Sequence, residues 1–109
     1  MITVKFFTER GKLQGFEVKG HSGLAERGND ILCAAVSSAC YMTVNTLTEV
    51  LKIETDIKVN EDGYMKAVVS DITSEAENLL KGFQMHITAL AKDYRKNLKV
   101  IYGGAPIYG

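Results

Sequence analysis

Two pairs of short, β-rich segments, each pair broken by only a few residues, constrain this chain more than any other feature. Residues 2–7 and 14–19 are rich in Val, Phe and Thr and flank Glu9-Arg10-Gly11-Lys12; residues 55–60 and 64–69 alternate around Asn60-Glu61-Asp62-Gly63. Connections this short can join only antiparallel neighbours, and Asp-Gly supplies the positive φ that a tight turn demands. From Ile31 to about Leu51, Ile31, Ala35, Ala39, Met42 and Val50 fall mostly at three- and four-residue steps, with Asn29 and Asp30 as capping candidates, which predicts a buried helix. Ser74-Glu75-Ala76-Glu77 reads as a capping box, and Ala76, Leu79, Leu80, Phe83, Ile87, Leu90, Ala91 and Tyr94 describe the apolar face of a second helix. Leu98 to Tyr102 fits a last strand, after which Gly103-Gly104-Ala105-Pro106 ends regular structure. The order ββαββαβ implies an α+β fold: a mainly antiparallel sheet of two hairpins plus a last strand, packed with two long helices. The pattern leaves open whether the helices share one face of the sheet.

With 109 residues there is room for one core, so residues 1–109 are expected to form a single domain. Thirteen basic side chains balance thirteen acidic ones, so no overall field draws the chain to RNA, DNA or an anionic membrane, and no direct nucleic-acid or membrane partner is expected. The first residues, Met1-Ile2-Thr3-Val4-Lys5-Phe6-Phe7, lack the basic and apolar regions of a secretory signal, and no apolar run approaches the ~18 residues of a membrane span. Only two cysteines occur, Cys33 and Cys40, far below the density of a disulfide scaffold. A reducing, cytoplasmic setting is the expectation. An exposed sheet face or edge on so small a domain invites a second copy, so a homodimer is expected.

Chemistry concentrates at residues 20–37. His21 lies in a glycine-rich segment directly after a strand, and Cys33 lies twelve positions later in the first turn of a helix. A thiol is a poor nucleophile until ionised, and helix N-terminal amides with the positive end of the macrodipole favour the thiolate. The intervening segment is long enough to fold back, letting the His21 imidazole take the thiol proton and return it to a leaving amine. The amides of the helix start, that of Cys33 included, are candidates for an oxyanion hole. Gly20, Gly23 and Gly28 permit close approach of an extended peptide and opening and closing of the segment. Against this stands the plain alternative that cysteine is commonly buried and that one His and one Cys co-occur in most domains.

The neighbouring residues carry similar alternatives. Asp30 can orient His21, but its charge opposes thiolate formation, and helix capping is its commoner role. Ser37 is one turn beyond Cys33 and can face the sulfur or substrate, or bond back to the Cys33 carbonyl. Cys40 is about 10 Å of helical rise from Cys33, beyond the ~7 Å Cα limit of a disulfide, and is expected in the core. His86, between Met85 and Ile87, is expected as a structural histidine bordering the apolar face. No set of ligands has metal-binding spacing, so neither metal nor other cofactor is expected.

The joined Gly20-His21-Ser22-Gly23 and Gly28-Asn29-Asp30-Ile31-Leu32-Cys33-Ala34-Ala35-Val36-Ser37 segments resemble the bacterial ribosomal-processing cysteine protease family, Prp. The resemblance extends over essentially the whole chain in length and element order. It implies a homodimeric α+β cysteine endopeptidase that removes the N-terminal extension of a large-ribosomal-subunit protein. Carried over by position, Cys33 is the nucleophile and His21 the general base, with Asp30 and Ser37 supporting and Gly20, Ser22, Gly23 and Gly28 in a substrate-ordered loop. Leu24 stands where many relatives have an aromatic residue, and Arg27 adds a basic group; both bear on substrate contacts rather than on the dyad. Two readings of other classes compete with proteolysis: a non-catalytic ribosome-assembly module that binds the same peptide, and a thiol-transfer protein using Cys33 alone, for which no resolving cysteine lies nearby.

Overall fold

A computed structural model describes residues 1–20, 30–60 and 63–104. Five strands form one sheet in the order β3-β4-β2-β1-β5: β1 (Ile2–Glu9), β2 (Lys12–Lys19), β3 (Thr55–Asn60), β4 (Tyr64–Val69) and β5 (Leu98–Gly104). Both hairpins form as the sequence predicts. The first is tighter than expected: Arg10 and Gly11 have φ of 53° and 78°, and the strands run to the two-residue turn that this mirror-image geometry permits. β4 joins the hairpins by pairing antiparallel with β2, while β5 pairs parallel with β1, so the sheet is mixed at that edge. The strand extends through Gly104, two residues beyond the predicted end, and Ala105 and Pro106 lie outside the described residues.

Register decides which side chains share a face. Val4 opposes Val18, Phe6 opposes Phe16, Val18 opposes Met65, Phe16 opposes Ala67, and Ile2 opposes Leu98. All are buried in a single cluster with Leu32, Val36, Cys40, Val44 and Leu47 of the first helical segment and Ala76, Leu80, Phe83 and Ile87 of the second. Both helices therefore lie on one face of the sheet. Phe83 fixes the contact, its ring centroid 5.7 Å from that of Phe6 and 4.4 Å from that of Phe16. Each large side chain buried this way contributes roughly 1.5–3 kcal/mol.

The second helix, α2 (Ser74–Asp93), buries the stripe its periodicity predicts, but its cap lies one residue earlier. Thr73 is extended, and its hydroxyl accepts from the Ala76 amide at 3.1 Å, so the expected box starting at Ser74 does not form. Ser74 turns instead to Glu75. The first helix, α1 (Ile31–Asn45), departs further from expectation. It passes into a π-helical turn at Thr46–Val50, and Lys52, at φ 55°, ends the run. Its buried stripe is Leu32, Val36, Cys40, Thr43, Val44 and Leu47, whereas Ile31, Met42 and Val50 are 69%, 63% and 71% exposed. No charged residue occurs between Ile31 and Thr48, so the helix is apolar nearly all round and its period does not single out an inner face. The same composition makes Ile31–Val50 long and apolar enough to cross a bilayer, contrary to the expectation that no segment would be. In the fold it is a core helix lying along the sheet.

Gly15 permits the close approach of β2 and β4, since a Cβ there would lie 2.1 Å from the Ala67 carbonyl oxygen. Gly15→Ala should therefore force the central strands apart and lower unfolding free energy by about 2 kcal/mol or more, read as a reduced urea midpoint. An unchanged midpoint would contradict this packing.

Candidate active site

The N-terminus of α1 sets the position of the sulfur. Asp30 is extended (φ −83°, ψ 101°) and 8% exposed, and caps the helix by accepting the Cys33 amide on Oδ1 at 3.0 Å. Its other oxygen, Oδ2, accepts from the Cys33 thiol at 3.3 Å. One carboxylate thus holds the backbone and the side chain of the same residue. Capping, the commoner expected role of Asp30, is realised, and the charge expected to oppose the thiolate does lie against the sulfur. The Cys33 amide is not available to an oxyanion in this state, because the extended cap aims Oδ1 at it. Among the described residues, no acceptor takes the amides of Ile31 and Leu32, the two preceding positions of the helix start.

Cys33 is half-buried at the rim of a cleft of about 360 Å³ between α1 and the ends of β2, β3 and β4. Val18, Val36, Cys40 and Met65 form an apolar floor, with Tyr41, Val59 and Tyr64 at the sides. Ser37, one turn beyond Cys33, is exposed and lines the same cleft. Cys40 lies in the core as expected and both cysteines are free; burial pushes its thiol up to about 12. The Tyr64 hydroxyl donates to Glu17 at 2.7 Å, and burial, followed by that bond and the nearby charge, pushes the phenol up to about 12.

Gly20 fixes the opposite wall. At φ +92° it lines the cleft, and a Cβ would lie 2.4 Å from the Met1 carbonyl oxygen. Its amide donates to the Gly63 carbonyl at 3.1 Å, tying the end of β2 to the start of β4. His21, Ser22, Gly23 and Gly28 of the predicted site lie outside the described residues, as do Leu24 and Arg27. The two residues that bracket this segment, Gly20 and Asp30, are both at the cleft: one lines it and the other is bonded to Cys33. No local signal marks Tyr41, Val59 or Tyr64, which reach the cleft from a helix interior and a distant hairpin. His86 departs from its expected role, since it is exposed rather than packed at the core margin. Among the described residues, no three His, Cys, Asp or Glu side chains converge as metal ligands.

A family model for cysteine protease Prp matches residues 1–99. The chain belongs to the Prp family of cysteine proteases. A Bacillus subtilis ribosomal processing cysteine protease Prp is 27% identical over 104 residues, covering 90% of this chain and 92% of that protein. A Staphylococcus aureus relative with the same description is 26% identical over 106 residues, covering 94% and 99%. The crystal structure of an essential ribosomal processing protease Prp from S. aureus, in complex with a covalently linked product peptide, superposes with a TM-score of 0.88 at 25% identity, covering 94% of this chain and all of that one. A Streptococcus mutans protein of known structure gives 0.80 at 28% identity, covering 94% and 99%. The α+β architecture is that of the family.

The two thiols should differ sharply in reactivity. With its thiol near 12, only about one Cys40 in ten thousand is thiolate at pH 8, and the core shields it further. Brief treatment of the native protein with iodoacetamide should give one adduct by mass spectrometry, lost in Cys33→Ala. Two adducts formed at similar rates would contradict this burial. Asp30→Ala should lower stability by about 1 kcal/mol through loss of the cap, and Asp30→Asn, an equally good cap, should restore most of it in urea unfolding.

Proposed function

We propose that this chain is a single-domain cysteine endopeptidase that removes the N-terminal extension of a large-ribosomal-subunit protein, with Cys33 as nucleophile and His21 as general base. The observation that carries the reading is the Cys33 sulfur at the start of α1, on the rim of an apolar cleft whose opposite wall is the residue next to His21. The names of the Prp relatives and the product peptide covalently linked in the S. aureus structure support it.

In this mechanism the Asp30 carboxylate holds the resting thiol as a hydrogen-bond acceptor. A peptide seated in the cleft places its carbonyl carbon at the sulfur, His21 takes the proton, and the S–C bond forms. The amides of Ile31 and Leu32 face the developing oxyanion at the positive end of the helix. His21 returns the proton to the leaving amine as the C–N bond breaks, and water then hydrolyses the thioester, releasing the acid and the free thiol. Ser37 supports substrate at the rim, and Gly20, Ser22, Gly23 and Gly28 form the segment that orders over it. The apolar floor suits an apolar side chain beside the scissile bond. No cofactor or nucleic acid enters the chemistry, and the setting is the cytoplasm.

We read the working form as a homodimer. The sequence placed the expected contact on an exposed sheet face or edge, where Val59 of β3 and Tyr102 of β5 are 50% and 55% exposed, and the helices carry exposed apolar surface as well. The outward strip of α1, with Tyr41 and Met42 at 49% and 63% exposure, carries no charge, and Ala35, Ser38 and Met42 of α1 line a depression shared with Gly82 and His86 of α2. A helical face this free of charge is better covered than solvated. Met42→Glu should shift the mass in sedimentation equilibrium from two copies to one; a wild-type monomer at 100 µM would sink the dimer.

Mass spectrometry of the extended ribosomal protein before and after incubation tests the activity. Intact enzyme should release the extension, and Cys33→Ala should slow release by at least about 1000-fold. Binding without cleavage at high enzyme concentration under reducing conditions would favour the assembly-module reading. The cleavage rate should fall as pH is lowered through the ordinary imidazole range near ~6.5, because protonated His21 no longer accepts the thiol proton. A rate unchanged from pH 7 to 5 would remove His21 from the role of base.

A further inference from the structure

Because both helices share one face of the sheet, the other face carries the opposite set of side chains. Lys5, Lys19, Lys58, Lys66 and Lys99 alternate with the buried residues of their strands and all belong to that second face. They fall in two adjacent rows across the strands: Ile101-Lys5-Glu17-Lys66-Lys58, and Lys99-Thr3-Lys19 continued by Tyr64-Asn60, with the Lys19 ammonium 6.0 Å from the centre of the Tyr64 ring. Glu17 is the one acid in these rows, and it is already engaged by the Tyr64 hydroxyl and by Lys19 at 3.5 Å. Asp56 and Glu9 lie beyond the rows, and Asp56 has one carboxylate oxygen shut away from solvent. A chain of zero net charge thus presents one basic face.

Lys58 and Lys66 sharpen the point. They are directly opposed across β3 and β4, an arrangement that destabilises a sheet unless an anion lies between them. Lysine on an edge strand protects against edge-to-edge pairing, which accounts for Lys58 but not for Lys66, since β4 is interior. Among the described residues, neither forms an ion pair.

We propose that this basic face binds the phosphodiester backbone of RNA. Lys58 and Lys66 stand on neighbouring strands, Lys5 lies two strands from Lys66 in the same row, and Lys19 and Lys99 lie in the next row, so their long side chains can meet separate phosphates as flexible point charges, with no base read. Within the rows Ile101 and Tyr64 are half-buried, and beside them Phe7 and Val68 are 5% and 1% exposed, so the face offers a bilayer little apolar surface to insert. The choice of RNA among polyanions rests on the ribosomal substrate proposed above; the basic face itself does not.

Fluorescence anisotropy with a labelled 20-nucleotide single-stranded RNA of mixed sequence tests the proposal in the full chain, against Lys5→Gln/Lys58→Gln/Lys66→Gln. Wild type should bind at 50 mM salt with a log–log salt slope of about −2 to −3.5, as three to five phosphate contacts give. The triple variant should bind at least tenfold more weakly while melting normally and cleaving a short peptide substrate at the wild-type rate. Absence of binding at 100 µM protein, equal binding by the triple variant, or tighter binding to polyglutamate or to phosphatidylserine vesicles would overturn it. Peptide cleavage is read separately, so loss of RNA binding and loss of the protease reading are distinguishable.

Discussion

The structure depends on one packing constraint: a single face of the sheet must serve both helices. Phe83 of α2 meets Phe6 and Phe16 on adjacent central strands, which leaves α1 to cover the β2–β4 side. Packed there, α1 brings its first turns over the strand ends and leaves the cleft between them. The cleft is therefore a consequence of how the core is closed. Its floor residues, Val18, Val36, Cys40 and Met65, belong to the same hydrophobic cluster that holds the helix in place.

On that frame, Asp30 performs two functions with one carboxylate. It satisfies an amide at the helix start, which fixes the Cys33 backbone, and it accepts from the thiol, which fixes the sulfur. Gly20 complements this from the other side, because its positive φ and close approach to Met1 direct the chain into the His21 segment from a fixed point.

Much of the fold was legible in the sequence. The turn residues Arg10-Gly11 and Gly63 and the stripe of α2 from Ala76 to Tyr94 each carry a local physical requirement that no distant residue overrides. α1 was legible as a helix but not in orientation: with no charge from Ile31 to Thr48 to mark a solvated side, three of the five stripe residues inferred, Ile31, Met42 and Val50, are exposed, while Ala35 is half-buried and Ala39 packs against the core. The α2 cap moved by one residue because Thr73 and Ser74 are chemically equivalent as caps, and the local backbone selects between them. Of the candidate site, the positions of Cys33 and Asp30 at a helix start were legible because capping is local. The walls supplied by Tyr41, Val59 and Tyr64 were not.

The sequence by itself determined the elements and their order, the family, and a thiol in the first turn of a helix, since these follow from turn chemistry, periodicity and a contiguous motif. Only the tertiary structure decided that the helices share one face, that β5 returns parallel to β1, and that five of the ten lysines of a neutral chain fall on the opposite face. Those outcomes depend on register and packing between segments far apart in the chain, and side-chain totals or local spacing carry no information about which distant residues become neighbours.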